Sequence, residues 1–144
     1  MNDVAREMLF EARMTVNSYR DLIVWQKGVS LATDVFTTAR AMPYRDQMGI
    51  GVQLQRSAVS IPANVAEGWA RGLGRSYPFH LRVALGSEAE LQTELEIALR
   101  ARIISESVGD SLLLQTAELG RMLHGLFDAV SATRGALRSQ RRKP

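Results

Sequence analysis

The sequence predicts an all-α protein, an antiparallel up-and-down bundle of four helices. Apolar residues recur at steps of three and four along most of the chain, which is the spacing of one helix face. No segment shows the strict alternation of apolar and polar residues typical of a half-buried strand. Short links separate the periodic segments, so neighbouring helices are expected to run antiparallel. The 144 residues, 46% of them hydrophobic, suit one domain.

The first helix is predicted over residues 21–41. Its apolar stripe begins with Leu22, Trp25 and Val29. Asp21 is the expected N-cap, because its carboxylate can accept hydrogen bonds from free backbone amides. Pro43 ends the helix, since a proline disfavours the helical conformation in the residue before it.

The second helix is predicted over residues 46–71 and contains Pro62. A proline inside a helix removes one amide donor and clashes with the carbonyl four residues earlier, here that of Ala58. We therefore expect a helix kink at Pro62 rather than a break, with Ser57 or Ser60 bonding the freed backbone group.

The third helix is predicted to begin at residue 77 or 78 and to end near residue 104, with Ser76 as its N-cap. The fourth is predicted to begin at about residue 107 or 110 and to end at residue 132. The predicted organisation is thus an N-terminal arm of residues 1–17 that is partly helical, a bundle of residues 18–133, and a basic disordered tail of residues 134–144.

The chain has a net charge of +3, and this charge is unevenly distributed along the sequence. Residues 40–75 hold five basic and two acidic residues, and residues 134–144 hold five basic and no acidic residues, whereas residues 76–133 are acidic. The high isoelectric point therefore belongs mainly to a short tail, and by itself it is weak evidence for a nucleic-acid partner.

Composition excludes several classes of site. The chain has no cysteine, so disulfides, thiolate metal sites and cysteine nucleophiles are ruled out. No apolar run approaches the roughly 18 residues that a membrane span needs, and the N-terminus leads into no apolar segment of a signal peptide. The expected location is the cytoplasm, with no membrane partner.

Three separated motifs resemble one known family. Residues 53–71 read QLQRSAVSIPANVAEGWAR, residues 21–27 read DLIVWQK, and residues 84–91 read ALGSEAEL. In order and spacing they resemble the four-helix-bundle family of 23S rRNA-intervening-sequence proteins, which also includes the accessory variability determinants of diversity-generating retroelements. The resemblance extends over about residues 19–130.

The resemblance implies an antiparallel four-helix bundle that assembles into a homopentameric barrel. For retroelement members it implies binding of a reverse transcriptase and RNA through basic outer surfaces. For stand-alone members the biochemical role is largely unassigned, and this chain could be of either kind.

A polar stripe is predicted beside the apolar stripe of the second helix. Its candidate members are Ser57, Ser60, Asn64 and Glu67, at helical spacing, and Glu88 of the third helix is expected to point inward and join them. A buried carboxylate must be hydrogen-bonded or paired, and Ser60, Asn64 and Arg56 are the expected partners of Glu88. The favoured interpretation is a structural polar network that sets helix register or a subunit contact; a ligand-binding or catalytic role is the alternative.

Basic residues in two segments are the candidate nucleic-acid contacts. They can bind phosphates, or they can form a solvated face that pairs with acids of neighbouring subunits. Trp25 and Trp69 are interpreted as core or interface anchors, with base stacking as the alternative. The candidate basic residues are Arg40, Arg45, Arg56, Arg71, Arg75, Arg138, Arg141, Arg142 and Lys143.

The residues favour no catalytic or cofactor chemistry. The two histidines, His80 and His124, do not lie three residues after a glutamate, as carboxylate metal sites in helix bundles require. We therefore expect a non-enzymatic scaffold or adaptor without a cofactor, assembled from identical copies. Its expected partner is RNA or a reverse transcriptase–RNA complex; the alternatives are another protein alone and, least favoured, a small molecule or metal in a central channel.

Overall fold

The computed structural model describes residues 16–72 and 74–140, and over these residues all of the regular secondary structure is helical, without strands. The four long helices are α1 (Ile23–Ala41), α2 (Val52–Ala70), α3 (Ser76–Arg100) and α4 (Glu106–Gln140). The all-α, four-helix prediction is thus confirmed. Residues 1–15 of the predicted N-terminal arm lie outside the described residues.

Contacts between α2 and α3, and between α3 and α4, run in opposite directions along the chain, so both pairs are antiparallel. From α2 to α3, Ser57 bonds Glu94, whereas Asn64 bonds His80. From α3 to α4, Leu99 packs on Gly109, whereas Glu88 packs on Gly120.

Aliphatic side chains from all four helices form one continuous core. Each fully buried leucine or isoleucine side chain stabilises the fold by roughly 1.5–3 kcal/mol relative to an exposed one. The largest side chains that lie wholly inside are Leu31, Leu54, Ile61, Leu81, Leu91, Leu95, Leu119 and Leu123.

The start of α1 differs from the prediction. A short 3-10 turn, Tyr19–Asp21, precedes the helix, and the Ser18 hydroxyl accepts the amide of Arg20. The Asp21 carboxylate accepts the backbone amides of Asn17 and Ser18, both at 3.0 Å. Asp21 therefore caps amides that precede it rather than those of α1, and the prediction of Asp21 as the helix N-cap is wrong.

The second helical segment is interrupted before α2 and not at the proline. A turn at Tyr44–Asp46 leads into a wide helical turn at Gln47–Gly51, where Gly49 has φ −101° and ψ −106°. The helix then continues through Pro62, which is buried against α1: a Cβ on Gly28 would lie 3.2 Å from the Pro62 Cβ. A bend at Pro62 stays a prediction.

The ends of α3 also differ from the prediction. Arg75 stands at the N-cap, so Ser76 is the first helical residue rather than the cap. At the other end, the amide of Ile103 bonds the carbonyl of Ala98 at 2.9 Å, and Arg102 takes a left-handed φ of 57°. This six-to-one bond is the Schellman motif, which ends α3 before residue 104.

The last helix is longer than predicted. Residues 134–140 continue α4, so the prediction of a disordered tail does not hold for them. Extending an existing helix adds one hydrogen bond for each residue ordered, without a new nucleus, and alanine, leucine, arginine and glutamine all favour it. Residues 141–144 lie outside the described residues.

Candidate functional site

A line of polar side chains fills the groove between α2 and α3. We call it the polar seam: Ser57, Ser60, Asn64 and Glu67 from α2, and His80, Ser87, Glu90 and Glu94 from α3. Four of these residues were expected from the stripe on α2. The four on α3 were not, because their partners are 13 or more residues away in the sequence and no local pattern connects them.

At the middle of the seam, hydrogen bonds form a chain from Asn64 through Ser60 to Ser87. The Asn64 amide nitrogen donates to the Ser60 carbonyl at 2.8 Å and to the Ser60 hydroxyl at 3.1 Å. The Ser60 and Ser87 hydroxyls lie 2.7 Å apart, and Ser87 donates to the carbonyl of Val83 at 3.1 Å. Ser60 must therefore be the donor to Ser87. The Ser60 hydroxyl therefore bonds across the groove to Ser87. It does not cap the Ala58 carbonyl, the backbone group freed by Pro62.

One end of the seam is built around His80, whose side chain is mostly buried. Its Nδ1 lies 3.0 Å from the Asn64 side-chain oxygen, and its Nε2 lies 3.6 Å from Glu67 Oε1. Glu67 also accepts Arg71, at 2.7 Å from Nη2 and 3.0 Å from Nε. The Glu67 carboxylate is therefore shared between the two helices, and it offsets part of the charge of Arg71.

The other end of the seam is short of donors. The Ser57 hydroxyl lies 3.1 Å from Glu94 Oε1 and 3.4 Å from Glu90 Oε2, and its single proton can serve only one of them at a time. Glu94 Oε2 is buried and has no hydrogen-bond partner among the described residues. Burial raises the pKa of Glu94, the bond from Ser57 opposes this, and the charge of Glu90 adds to it.

Glu88 points away from the seam, which corrects the prediction that it would bond Ser60, Asn64 or Arg56. Successive residues of a helix are about 100° apart, so Ser87 faces α2 while Glu88 faces α4. There Glu88 is 9% exposed and accepts the Gln92 amide at 2.6 Å. Burial raises its pKa, and the charge of His124 and the bond from Gln92 oppose the shift.

The predicted basic residues separate into distant groups. Arg40 and Arg45 lie where α1 ends and the second helical segment begins, and Arg56 is exposed within α2. Arg71 and Arg75 lie at the opposite end of the bundle, between α2 and α3. The side chain of Arg138 is not described, and Arg141, Arg142 and Lys143 lie outside the described residues.

The end that holds Arg71 and Arg75 gains further positive charge from the turn before α1 and from α4. The start of α1 reaches it, because the Tyr19 and Trp69 rings lie 6.3 Å apart. The register of α3 on α4 places the start of α3 level with about residue 132, so the last two turns of α4 extend past it by roughly 10 Å. We define the basic end as Arg20, Arg71, Arg75 and Arg134; the last of these lies on that extension.

Six large apolar side chains are exposed along α2 and α3 and the turn before α2. Val52 and Val59 are seven residues apart, and Phe79 and Val83 are four apart, so each pair shares one helix face. Exposed fractions reach 65% for Met48 and 60% for Phe79. We call this set the outer apolar face: Met48, Val52, Val59, Phe79, Val83 and Ile97.

The described residues contain no group of three or more histidine, aspartate or glutamate side chains placed to hold a metal ion. No helix among them has both the length and the hydropathy that crossing a membrane requires.

The fold and the seam define a class, an all-helical bundle in which polar residues of the second and third helices meet in a groove. The family described as 23S rRNA-intervening sequence protein matches residues 20–125. The chain belongs to this family, as its motifs predict.

A solved structure has the same fold. The chain is similar to a protein of unknown function from the S23 ribosomal protein family of Bacteroides thetaiotaomicron VPI-5482. The TM-score is 0.68 and the identity is 21%, over 74% of this chain and 96% of that one. No curated protein matches the chain.

Proposed function

We propose that this protein is a non-enzymatic, oligomeric scaffold that binds nucleic acid, alone or within a reverse transcriptase–RNA complex, in the cytoplasm. The observation that carries the proposal is the gathering of Arg20, Arg71, Arg75 and Arg134 at one end of the bundle. The chain adds four more basic residues after Arg134 and no acidic ones.

The electrostatics of this end suit a phosphate backbone. Each phosphate that a lysine or arginine neutralises releases a counterion, so affinity falls steeply as salt rises. Contacts of this kind position a nucleic acid without reading its sequence. The basic end therefore supports general rather than base-specific binding.

Assembly into an oligomer would repeat the basic end, which by itself binds weakly, once in every copy. The outer apolar face exposes side chains that are costly to leave in water, and a second copy of the chain is the proposed cover. We propose a ring of five copies, which would present five basic ends to one partner. Simultaneous contacts then raise the overall affinity well above that of a single end.

Filter binding of RNA across a salt series tests the nucleic-acid proposal. We expect retention at low salt and a steep loss of affinity as salt rises. The variant Arg75→Gln/Arg134→Gln should bind more weakly and with a shallower salt slope. Its matched control is Arg100→Gln/Arg102→Gln, which removes the same charge at the opposite end, where α3 ends, and should bind as the parent protein does. Absence of retention at low salt would contradict the proposal.

The outer apolar face favours a second function, that of a protein-interaction module without a nucleic-acid partner. The same face that would join identical copies could instead receive another protein. Loss of RNA retention together with a stable complex of a cellular protein on this face would support that alternative.

A further inference from the structure

Three aromatic rings meet at the basic end. The Tyr19 ring lies 5.3 Å from the Trp25 ring and 6.3 Å from the Trp69 ring, and both pairs meet edge to face. All three rings are half-buried, so each has one part in the core and one part at the surface. The cluster joins the start of α1 to the last turn of α2, directly before Arg71.

The guanidinium of Arg20 covers this cluster from the solvent side. Its central carbon lies 5.0 Å from the centre of the Tyr19 ring and 5.7 Å from that of Trp25. The side-chain amide of Gln26 donates to the Arg20 carbonyl at 2.8 Å and so holds the turn against α1. Arg20 itself is exposed, which leaves the outer side of its guanidinium open to a ligand.

We propose that Tyr19, Trp25, Trp69 and Arg20 form a stacking site for an unpaired base of a single-stranded nucleic acid. This inference rests on the proposed function and specifies which nucleic acid the basic end takes. Bases stack on aromatic rings and on the plane of an arginine side chain, and only an unstacked base can reach such a surface. Arg71 and Arg75, which follow Trp69 in the chain, are placed to meet the phosphates beside that base.

Tryptophan fluorescence tests the site directly, because the chain has two tryptophans and both lie in this cluster. The full-length protein is titrated at low salt with 12-nucleotide oligouridylate, with oligothymidylate of the same length, and with a duplex of the same length. Both single strands should quench the emission and the duplex should not. A response to oligouridylate alone would narrow the ligand to RNA.

Two variants and a control separate stacking from charge. Arg20→Gln and Tyr19→Leu should each weaken single-strand binding by about fivefold or more, the size expected when one stacking contact is lost. Arg102→Gln removes the same charge as Arg20→Gln at the far end, just after α3, and should have little effect. Because Arg20 is exposed, its variant is expected to fold even if Tyr19→Leu does not.

The outcomes distinguish this inference from the proposed function. Retention of RNA on filters without quenching, with Arg20→Gln equal to Arg102→Gln, would overturn the stacking site and leave the phosphate-binding function standing. Equal quenching by duplex and single strand would also overturn it. No retention of any nucleic acid would overturn both.

Discussion

The carboxylate of Glu88 occupies the space that a side chain at position 120 would need. A Cβ added to Gly120 would lie 2.9 Å from both Cδ and Oε1 of Glu88. Glu88 is on α3 and Gly120 is on α4. Because the glycine has no side chain, the two helices can pack closely with the buried carboxylate between them.

Gly120→Ala should therefore destabilise the protein although alanine favours helices. The added methyl group must displace a Glu88 carboxylate that is buried and bonded to Gln92, so it is not free to swing into solvent without loss. Overpacking of this kind costs about 1–3 kcal/mol. Chemical denaturation measures the change. The matched control is Gly125→Ala on the same helix, where a Cβ meets nothing within 4 Å. It should stabilise the protein by about 0.5–1 kcal/mol, and an equal effect of both variants would contradict the account.

Glu88→Gln should stabilise the protein at neutral pH. Burial raises the pKa of Glu88, so the folded state holds its proton more tightly than the unfolded state does. The free energy of unfolding contributed by this group therefore falls as pH rises from its ordinary pKa of 4.5 through the raised folded value, and above that it stays low. The glutamine variant has no carboxyl group to ionise, so it does not lose this stability as pH rises. In acid, where Glu88 is protonated, the variant and the parent protein should have similar free energies of unfolding.

Glu118 is the comparison for Glu88, because its pKa is shifted in the opposite direction. Its bond from Lys27 and the charge of Lys27 lower its pKa, so its charged form is favoured in the folded state. Glu118→Gln should therefore not stabilise the protein at neutral pH. Urea denaturation of both variants at neutral and acidic pH measures the difference, and equal pH profiles would count against it.

Arg102→Gly should stabilise the end of α3. Arg102 holds a left-handed φ of 57°, a conformation that costs a residue with a Cβ about 1–2 kcal/mol and costs glycine little. The gain should be near 1 kcal/mol, because the flexibility of glycine in the unfolded chain offsets part of it. Arg100→Gly, inside the last turn of α3, is the control and should destabilise by about 1 kcal/mol. Thermal unfolding distinguishes the two.

Val59→Glu and Ile97→Glu should reduce the number of chains in the assembly if the outer apolar face joins identical copies. A charge on that face must lose its hydration when a partner covers it, which opposes contact. Light scattering should shift from a mass near five times 16.0 kDa toward that of one chain. Tyr44→Glu, at a site that is 76% exposed beside Arg45, should leave the mass unchanged. A single-chain parent protein at micromolar concentration would refute the ring.

Much of the fold follows from local spacing. Apolar residues such as Leu54, Ile61 and Leu91 recur with the helix period, and this alone predicts which residues face inward. Helix ends were less predictable, because their caps depend on short bonds such as those of Ser18 and Asp21, which the apolar pattern does not contain.

The sequence by itself determined the all-helical class, the number of helices and the family. Only the tertiary structure decided that Ser87 faces α2 and Glu88 faces α4, that His80 meets Asn64, and that Arg20 reaches Tyr19 and Trp25 beside Trp69. The physical reason is that a periodic pattern separates the inward side of a helix from the outward side. It does not say which neighbouring helix an inward polar group will meet, because that depends on how whole helices pack.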